Sequence, residues 1–354
     1  MNLPGITGGP IAWTAVRNDY FGKLAPPDMR GAAQVVEQAI SGGASVSEIV
    51  REVLSPAQVE VGRLWQVNEW SVADEHAASA VTEAALMAAA ASPSLTERRA
   101  AGMIVLACAA GEWHTLPLRM VSEVLGAAGF ETVFLGASVP PPHLRSFLEK
   151  NRPVALALNC SHALSLEGAR ESIEAAHATG TPVLVGGRGF GTNGQRARLV
   201  GADQWCDDPS QAVEILRAWA ANSPDEFATA AAKRADRPSA GELLRVRETS
   251  AATLLRQYPE LSSYTPAQWE RTHEDFDSIV EYTLLAERLD DEGILVDFIA
   301  WLTAVLTVRH VPASILQSGL DAIADALALT RPAASALLQR TRVEGPAPRD
   351  PGLA

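Results

Sequence analysis

The chain has 354 residues, 47% hydrophobic and 20% charged, enough for two or three globular domains with substantial cores. Its formal net charge of −13, with no Lys/Arg-rich run, argues against a nucleic-acid reader, which needs a basic face to displace counterions. Three cysteines, Cys108, Cys160 and Cys206, show neither a disulfide framework nor zinc spacing, and no stretch reads as a secretory leader or membrane span. The expectation is a cytoplasmic protein that meets no membrane and no nucleic acid.

Residues 1–25 are ambiguous, with Ile11 to Leu24 a helix candidate behind a Gly/Pro-rich tip at Pro4–Pro10. After Pro26-Pro27, Met29 to Ile40 reads as a helix closed by Gly42-Gly43, and Ser45 to Leu54 as a short one. Pro56 opens the next, with Val59, Val61, Leu64 and Trp65 on one stripe. Ser71 and Asp74 form a capping-box pattern ahead of an alanine-rich helix that carries Glu75 and His76. Short-linked helices of this kind predict an antiparallel bundle over residues 1–95, followed by a polar linker around 92–100.

From residue 100 to 222 strands and helices alternate, which predicts a parallel sheet covered on both faces. Strand candidates are Met103–Ala109, Thr132–Leu135, Val154–Leu158, Val183–Val185 and, weakly, Gln204–Cys206. Glu112 and His114 fall in the loop after the first strand, at the sheet edge where open α/β proteins bind ligands. Alone, His114 reads as a polar loop residue. Paired as Glu-x-His, the carboxylate accepts from one ring nitrogen and leaves the other to coordinate a metal. Gly136, Ser138, Asn159, Ser161, Gly186 and Gly187 end the later strands with small or hydroxylated residues suited to close backbone approach. Gly189 to Gly194 matches the dinucleotide fingerprint, but it follows a late strand and lacks an acidic ribose partner, so it is a decoy.

Glu112-x-His114-x-x-Pro117 resembles the Asp/Glu-x-His-x-x-Gly cobalamin motif, and Trp65-x9-Glu75-His76 resembles the upper-face signature of CarH-type adenosylcobalamin photoreceptors. The resemblance covers roughly residues 20–220. It implies that His114 is the lower axial ligand of cobalt, that Glu112 orients it, and that Trp65, Glu75 and His76 enclose an adenosyl group above. It also implies that the cofactor's displaced base runs down between the strand ends. Two positions depart from the pattern. Pro117 replaces the usual glycine, and Gln66 stands where the photoreceptors place a cobalt-capturing histidine.

Residues 223–238 read as a charged linker, 239–345 as a third domain of helices and 346–354 as a tail. Domain order makes the third domain resemble the globin-like, bilin-binding module of photocobilins. That likeness implies non-covalent biliverdin near His273, Tyr282, Trp301, Arg309 or His310. The expected fold is therefore a helical bundle, a Rossmann-like (flavodoxin-like) cobalamin domain and a C-terminal globin-like domain. The expected function is an adenosylcobalamin light sensor, not an enzyme, acting through light-dependent dimers or tetramers and an unknown signalling partner. The alternative is a corrinoid carrier that shuttles a methyl group for a methyltransferase system.

Overall fold

A computed structural model of the chain describes residues 11–91, 101–224, 226–229 and 238–343. The expected tip at Pro4–Pro10, the linker at 92–100, most of the second linker and the tail at 346–354 lie outside them. The chain divides into two compact units, Met1–Trp65 with Glu69–Ala230, and Gln66–Asn68 with Ala231–Ala354. The expected bundle and α/β domains thus fall together in the first unit.

That unit begins with α1 (Trp13–Phe21), α2 (Met29–Ser41), α3 (Val46–Ile49), α4 (Ser55–Gln66) and α5 (Val72–Ala90). Side-chain caps set the starts: Asp28 accepts from Gly31 N at 2.9 Å, and both Ser45–Glu48 and Ser71–Asp74 form reciprocal capping boxes. The short helix expected over 45–54 does not stop. It runs through a π-type turn, Val50–Leu54, directly into α4. Pro56 has no N–H to give the preceding turn, and the wider turn absorbs the interrupted ladder.

The α/β part comprises β1 (Met103–Cys108), α6 (Leu116–Ala127), β2 (Glu131–Gly136), α7 (Pro141–Asn151), β3 (Ala155–Asn159), α8 (Leu166–His177), β4 (Val183–Gly186), α9 (Gln195–Leu199), β5 (Gln204–Trp205) and α10 (Pro209–Ala221). The sheet is parallel in the order β2-β1-β3-β4-β5. Chain direction across the sheet therefore reverses between β1 and β3, and the loops that leave these strands diverge to opposite faces and open a crevice. Ile104 to Cys108 are wholly buried, as a continuous apolar run requires.

Leu106, Cys108, Ala157 and Leu184 share one core with Leu118 and Leu125 of α6, Leu216 of α10, and Tyr20, Ile49, Leu54 and Leu86 of the bundle. Bundle and sheet are thus built on common apolar packing rather than on separate cores. On the other side, Gly168 in the first turn of α8 lies flush against the loop that follows β1. A β-carbon there would stand 1.9 Å from the Ala110 carbonyl oxygen.

The second unit holds α11 (Ala240–Gln257), α12 (Pro266–Leu289), α13 (Gly293–Val308), α14 (Ala313–Leu327) and α15 (Pro332–Arg340). Apolar spacing predicts packing faces at Phe276, Ile279, Val280 and Leu284 and at Ile294, Val296, Phe298, Ile299 and Leu302. All are buried except Val296, which is 53% exposed because it falls on the outer side of its helix. Among the described residues, no helix is long and apolar enough to cross a membrane.

Candidate functional site

Glu112 is the pivot of the crevice, with its side chain only 1% exposed. Oε1 accepts from the His114 backbone N–H at 2.9 Å and from His114 Nδ1 at 2.6 Å. Oε2 accepts from Ser161 N at 2.7 Å and His162 N at 3.0 Å, both in the loop after β3. Burial pushes this carboxyl up, but the bonds from His114, His162 and Ser161 outweigh it and hold it down to about 2. Glu112 is therefore a fixed anion at neutral pH that ties two strand ends together.

The acceptor at Nδ1 fixes the His114 tautomer. The proton sits on Nδ1 and the Nε2 lone pair is left over, on a side chain that is 57% exposed. The Glu112 bond raises the His114 pKa, opposed by desolvation, and the charges of Glu112 and Glu75 add to the rise. The contribution from Glu75 brings the first turn of α5 into the electrostatic neighbourhood of the ligand loop.

The other expected residues play varied parts. Asn159 Nδ2 donates to the His114 carbonyl oxygen at 3.0 Å and to Ser161 Oγ at 3.2 Å. Ser138, at φ +46°, donates its N–H to the Glu112 carbonyl oxygen at 2.8 Å and accepts from Gly111 N at 3.1 Å. Gly136, at φ +85°, takes up an irregularity in the β1–β2 register. Gly186 and Gly187 line a cavity of about 200 Å³ together with Pro117, Met120, Ala157 and Leu184. A side chain at Gly187 would collide with Cys160, because its β-carbon would lie 2.4 Å from that carbonyl oxygen.

On the bundle side, Trp65 is partly buried near the end of α4. Glu75 Oε2 meets His76 Nδ1, and Oε1 accepts from Ser79 Oγ at 2.9 Å, which also reaches Gln58 at 3.1 Å. His76 is 74% exposed.

Sequence reasoning missed His162. Its ring stacks on His114 with centroids 4.6 Å apart and planes at 21°. Desolvation and the neighbouring His114 push its pKa down. Among the described residues no group of three His, Cys, Asp or Glu side chains is placed to cage an ion. A metal held at His114 must bring most of its own ligands, as cobalt in a corrin ring does.

Fold and site together define an open α/β unit with the exposed imidazole of His114 at its switch point. Family models match both parts of it: "B12 binding domain" over residues 102–216, and a second B12 binding domain over residues 23–89. A dimethylamine corrinoid protein from Methanosarcina mazei is 29% identical, covering 47% of this chain and 83% of its own. A trimethylamine corrinoid protein from Methanosarcina acetivorans is 25% identical, covering 53% and 88% respectively. The solved structure of the Methanosarcina barkeri monomethylamine corrinoid protein shares the fold, with a TM-score of 0.51 at 19% identity over 58% of this chain and 99% of that one. The chain carries a Rossmann-like B12-binding domain with a helical N-terminal part, and its cofactor is a corrinoid.

These relatives overturn the CarH-type and photocobilin likeness and the light-sensor function built on it. The bundle that carries Trp65, Glu75 and His76 is itself matched as a B12-binding region. Neither the adenosyl form, nor biliverdin, nor light-dependent oligomers finds support there. At the bilin candidates, Tyr282 stacks on Phe298 at 3.9 Å, and Phe298 on Trp301 at 5.9 Å, so these rings cover each other. His273 packs against Trp269, Arg309 donates to the Val305 carbonyl oxygen at 3.0 Å, and His310, at φ +62°, closes α13. The relatives are named as corrinoid proteins rather than methyltransferases, in keeping with a chain that is not itself an enzyme.

Proposed function

We propose that the chain is a corrinoid carrier that shuttles a methyl group for a methyltransferase system, as its relatives' names suggest. The observation that carries this reading is the Glu112–His114 pair, with Nδ1 committed to a buried carboxylate on an imidazole that is 57% exposed. When bound, the corrinoid supplies a cobalt centre that takes up and gives back a methyl group. His114 would hold that centre through Nε2. Glu112 keeps the imidazole in the coordinating tautomer and, as a fixed anion, strengthens it as a donor. The cavity lined by residues of α6, α10 and the strand ends would take part of the corrinoid's tail. Trp65, Glu75 and His76 would face the corrinoid from the helical bundle, and the partners would be methyltransferases.

The test is methyl transfer by full-length protein reconstituted with hydroxocobalamin, reduced with titanium(III) citrate and charged with labelled iodomethane. A thiol-directed methyltransferase and a thiol acceptor should then receive the label, and His114→Ala should lose at least about tenfold in transfer rate. Label retained on the protein under all these conditions would refute the carrier reading.

A further inference from the structure

We propose that His162 is a positioning residue for the corrinoid ligand: stacked against His114, it sets the plane in which that imidazole meets cobalt. This rests on the carrier reading, in which His114 is the lower ligand, and adds a residue to it.

The argument begins with what Glu112 leaves undone. Its Oε1 holds His114 Nδ1 at one point, 2.6 Å away. A single hydrogen bond at one ring atom fixes the distance but leaves the ring free to tilt about the line of that bond. An imidazole bonded to a metal in a planar macrocycle must stand upright beneath it with its lone pair aimed at the metal, so tilt is the coordinate that matters. The His162 ring removes that freedom by lying nearly parallel to His114, with centroids 4.6 Å apart and planes at 21°. Offset aromatic faces at such separations attract, and tilting either ring loses contact with the other.

His162 is in turn held from its backbone. Its N–H donates to Glu112 Oε2 at 3.0 Å, the same carboxylate whose other oxygen holds His114. Its carbonyl oxygen accepts from Ser165 N at 3.0 Å and from Cys160 Sγ at 3.1 Å. One buried carboxylate therefore sets both imidazoles, and the stack locks the relation between them. Because the two rings leave different strand ends, the plane of His114 is fixed by both sides of the switch-point crevice.

The experiment compares wild-type protein with His162→Ala and His162→Phe, all full length and titrated with hydroxocobalamin. All are grown with 15N-labelled histidine and then reduced to the cobalt(II) state for electron paramagnetic resonance. There the two-line nitrogen splitting of 15N reports a protein imidazole on the metal, and a three-line splitting of 14N the cofactor's own base. Wild type should show one population with the two-line splitting. His162→Ala should bind about tenfold more weakly and give a mixture with and without that splitting, the scale seen when partners behind a metal ligand are removed. His162→Phe keeps a ring and lacks the nitrogens, and it should restore the single population. The apoproteins give an independent reading, since the ring-current shift of the His114 Hε1 proton should vanish in His162→Ala and persist in His162→Phe. Unchanged splitting and affinity in His162→Ala, or a phenylalanine variant no better than alanine, would overturn the proposal and leave the carrier reading standing. Two-line splitting that survives His114→Ala and is lost only when His162 is also replaced would make His162 a ligand instead. Wild-type protein with no two-line splitting would sink the His114 assignment on which the proposal rests.

Discussion

Asn159 Nδ2 donates to the carbonyl oxygen of His114 at 3.0 Å, so the loop after β1 is clasped from the end of β3. The two strands pair in parallel up to Cys108 and Asn159, which puts this amide where the chain direction across the sheet reverses. Asn159 is 4% exposed, so removing the amide leaves the clasp unmade inside the protein. Asn159→Ala should destabilise the apoprotein by about 1–3 kcal/mol, read by urea unfolding, and weaken hydroxocobalamin binding in the same titration. Asn159→Asp should be worse, because it turns an acceptor toward an acceptor.

Glu112 has no spare capacity: each of its oxygens accepts two N–H groups. A glutamine has one carbonyl oxygen, and its amide N–H₂ must face either the pair at Oε1 or the pair at Oε2, donor against donor. Glu112→Gln should therefore cost about 2–4 kcal/mol of apoprotein stability. Corrinoid affinity should fall about 10- to 100-fold, measured by spectral titration.

The same pair sets the response to pH in the apoprotein. The folded-state value of Glu112, about 2, lies below its ordinary 4.5, so its stabilising contribution is complete above pH 4.5 and is lost as pH falls toward 2. The size of that shift corresponds to roughly 3 kcal/mol. His114 moves the other way. Its value is raised above 6.5, so its contribution is present below that pH and is lost as pH rises through the folded value. Denaturant unfolding across pH should show both slopes, and Glu112→Gln should flatten both. Cobalt requires the unprotonated Nε2, so hydroxocobalamin affinity should rise with pH through the His114 transition.

Much of this site was legible because it lies within one short stretch. The apolar run Met103–Ala109 could only be an interior strand, and the Glu112-x-His114 spacing placed both groups at its end before any geometry was known. The capping box at Ser71 likewise depends on four consecutive residues, whereas the one at Ser45 went unread. His162 was not legible, because its contact with His114 exists only once β1 and β3 pair in register. Nor could the polar segment at 92–100 show that the helices before it and the sheet after it share a core. The photoreceptor likeness misled for a related reason: the bundle that carries Trp65, Glu75 and His76 is matched as a B12-binding region, which carries no photochemistry. In the second unit, helical periodicity fixed the packing faces but named no ligand.

Gly187, at φ +107°, is a place where only glycine fits both the backbone and the space. A β-carbon would approach the Cys160 carbonyl oxygen to 2.4 Å and the Asn159 side chain to 2.8 Å. Gly187→Ala should therefore strain the loop that presents Ser161 and His162 to Glu112. The expected cost is about 1–3 kcal/mol in apoprotein stability, with weaker corrinoid uptake by the same preparation.

Trp113 stands in sequence between the buried Glu112 and His114, yet it is 72% exposed. An indole that far into solvent contributes little to the fold, so Trp113→Ala should change apoprotein stability by no more than about 0.5 kcal/mol. Under the carrier reading its neighbour reaches the underside of a broad, largely apolar macrocycle, and the same macrocycle covers the indole. Burying that surface on binding gives Trp113→Ala a weaker corrinoid dissociation constant by about 5- to 30-fold, or 1–2 kcal/mol. The indole also supplies its own readout. The corrin absorbs where tryptophan emits, so hydroxocobalamin should quench the emission of wild-type protein. Trp113→Phe should quench by a visibly smaller fraction while binding nearly as tightly. Equal quenching in the two proteins would put the corrin somewhere other than over the β1 loop, and the lower-ligand assignment of His114 would fall with it.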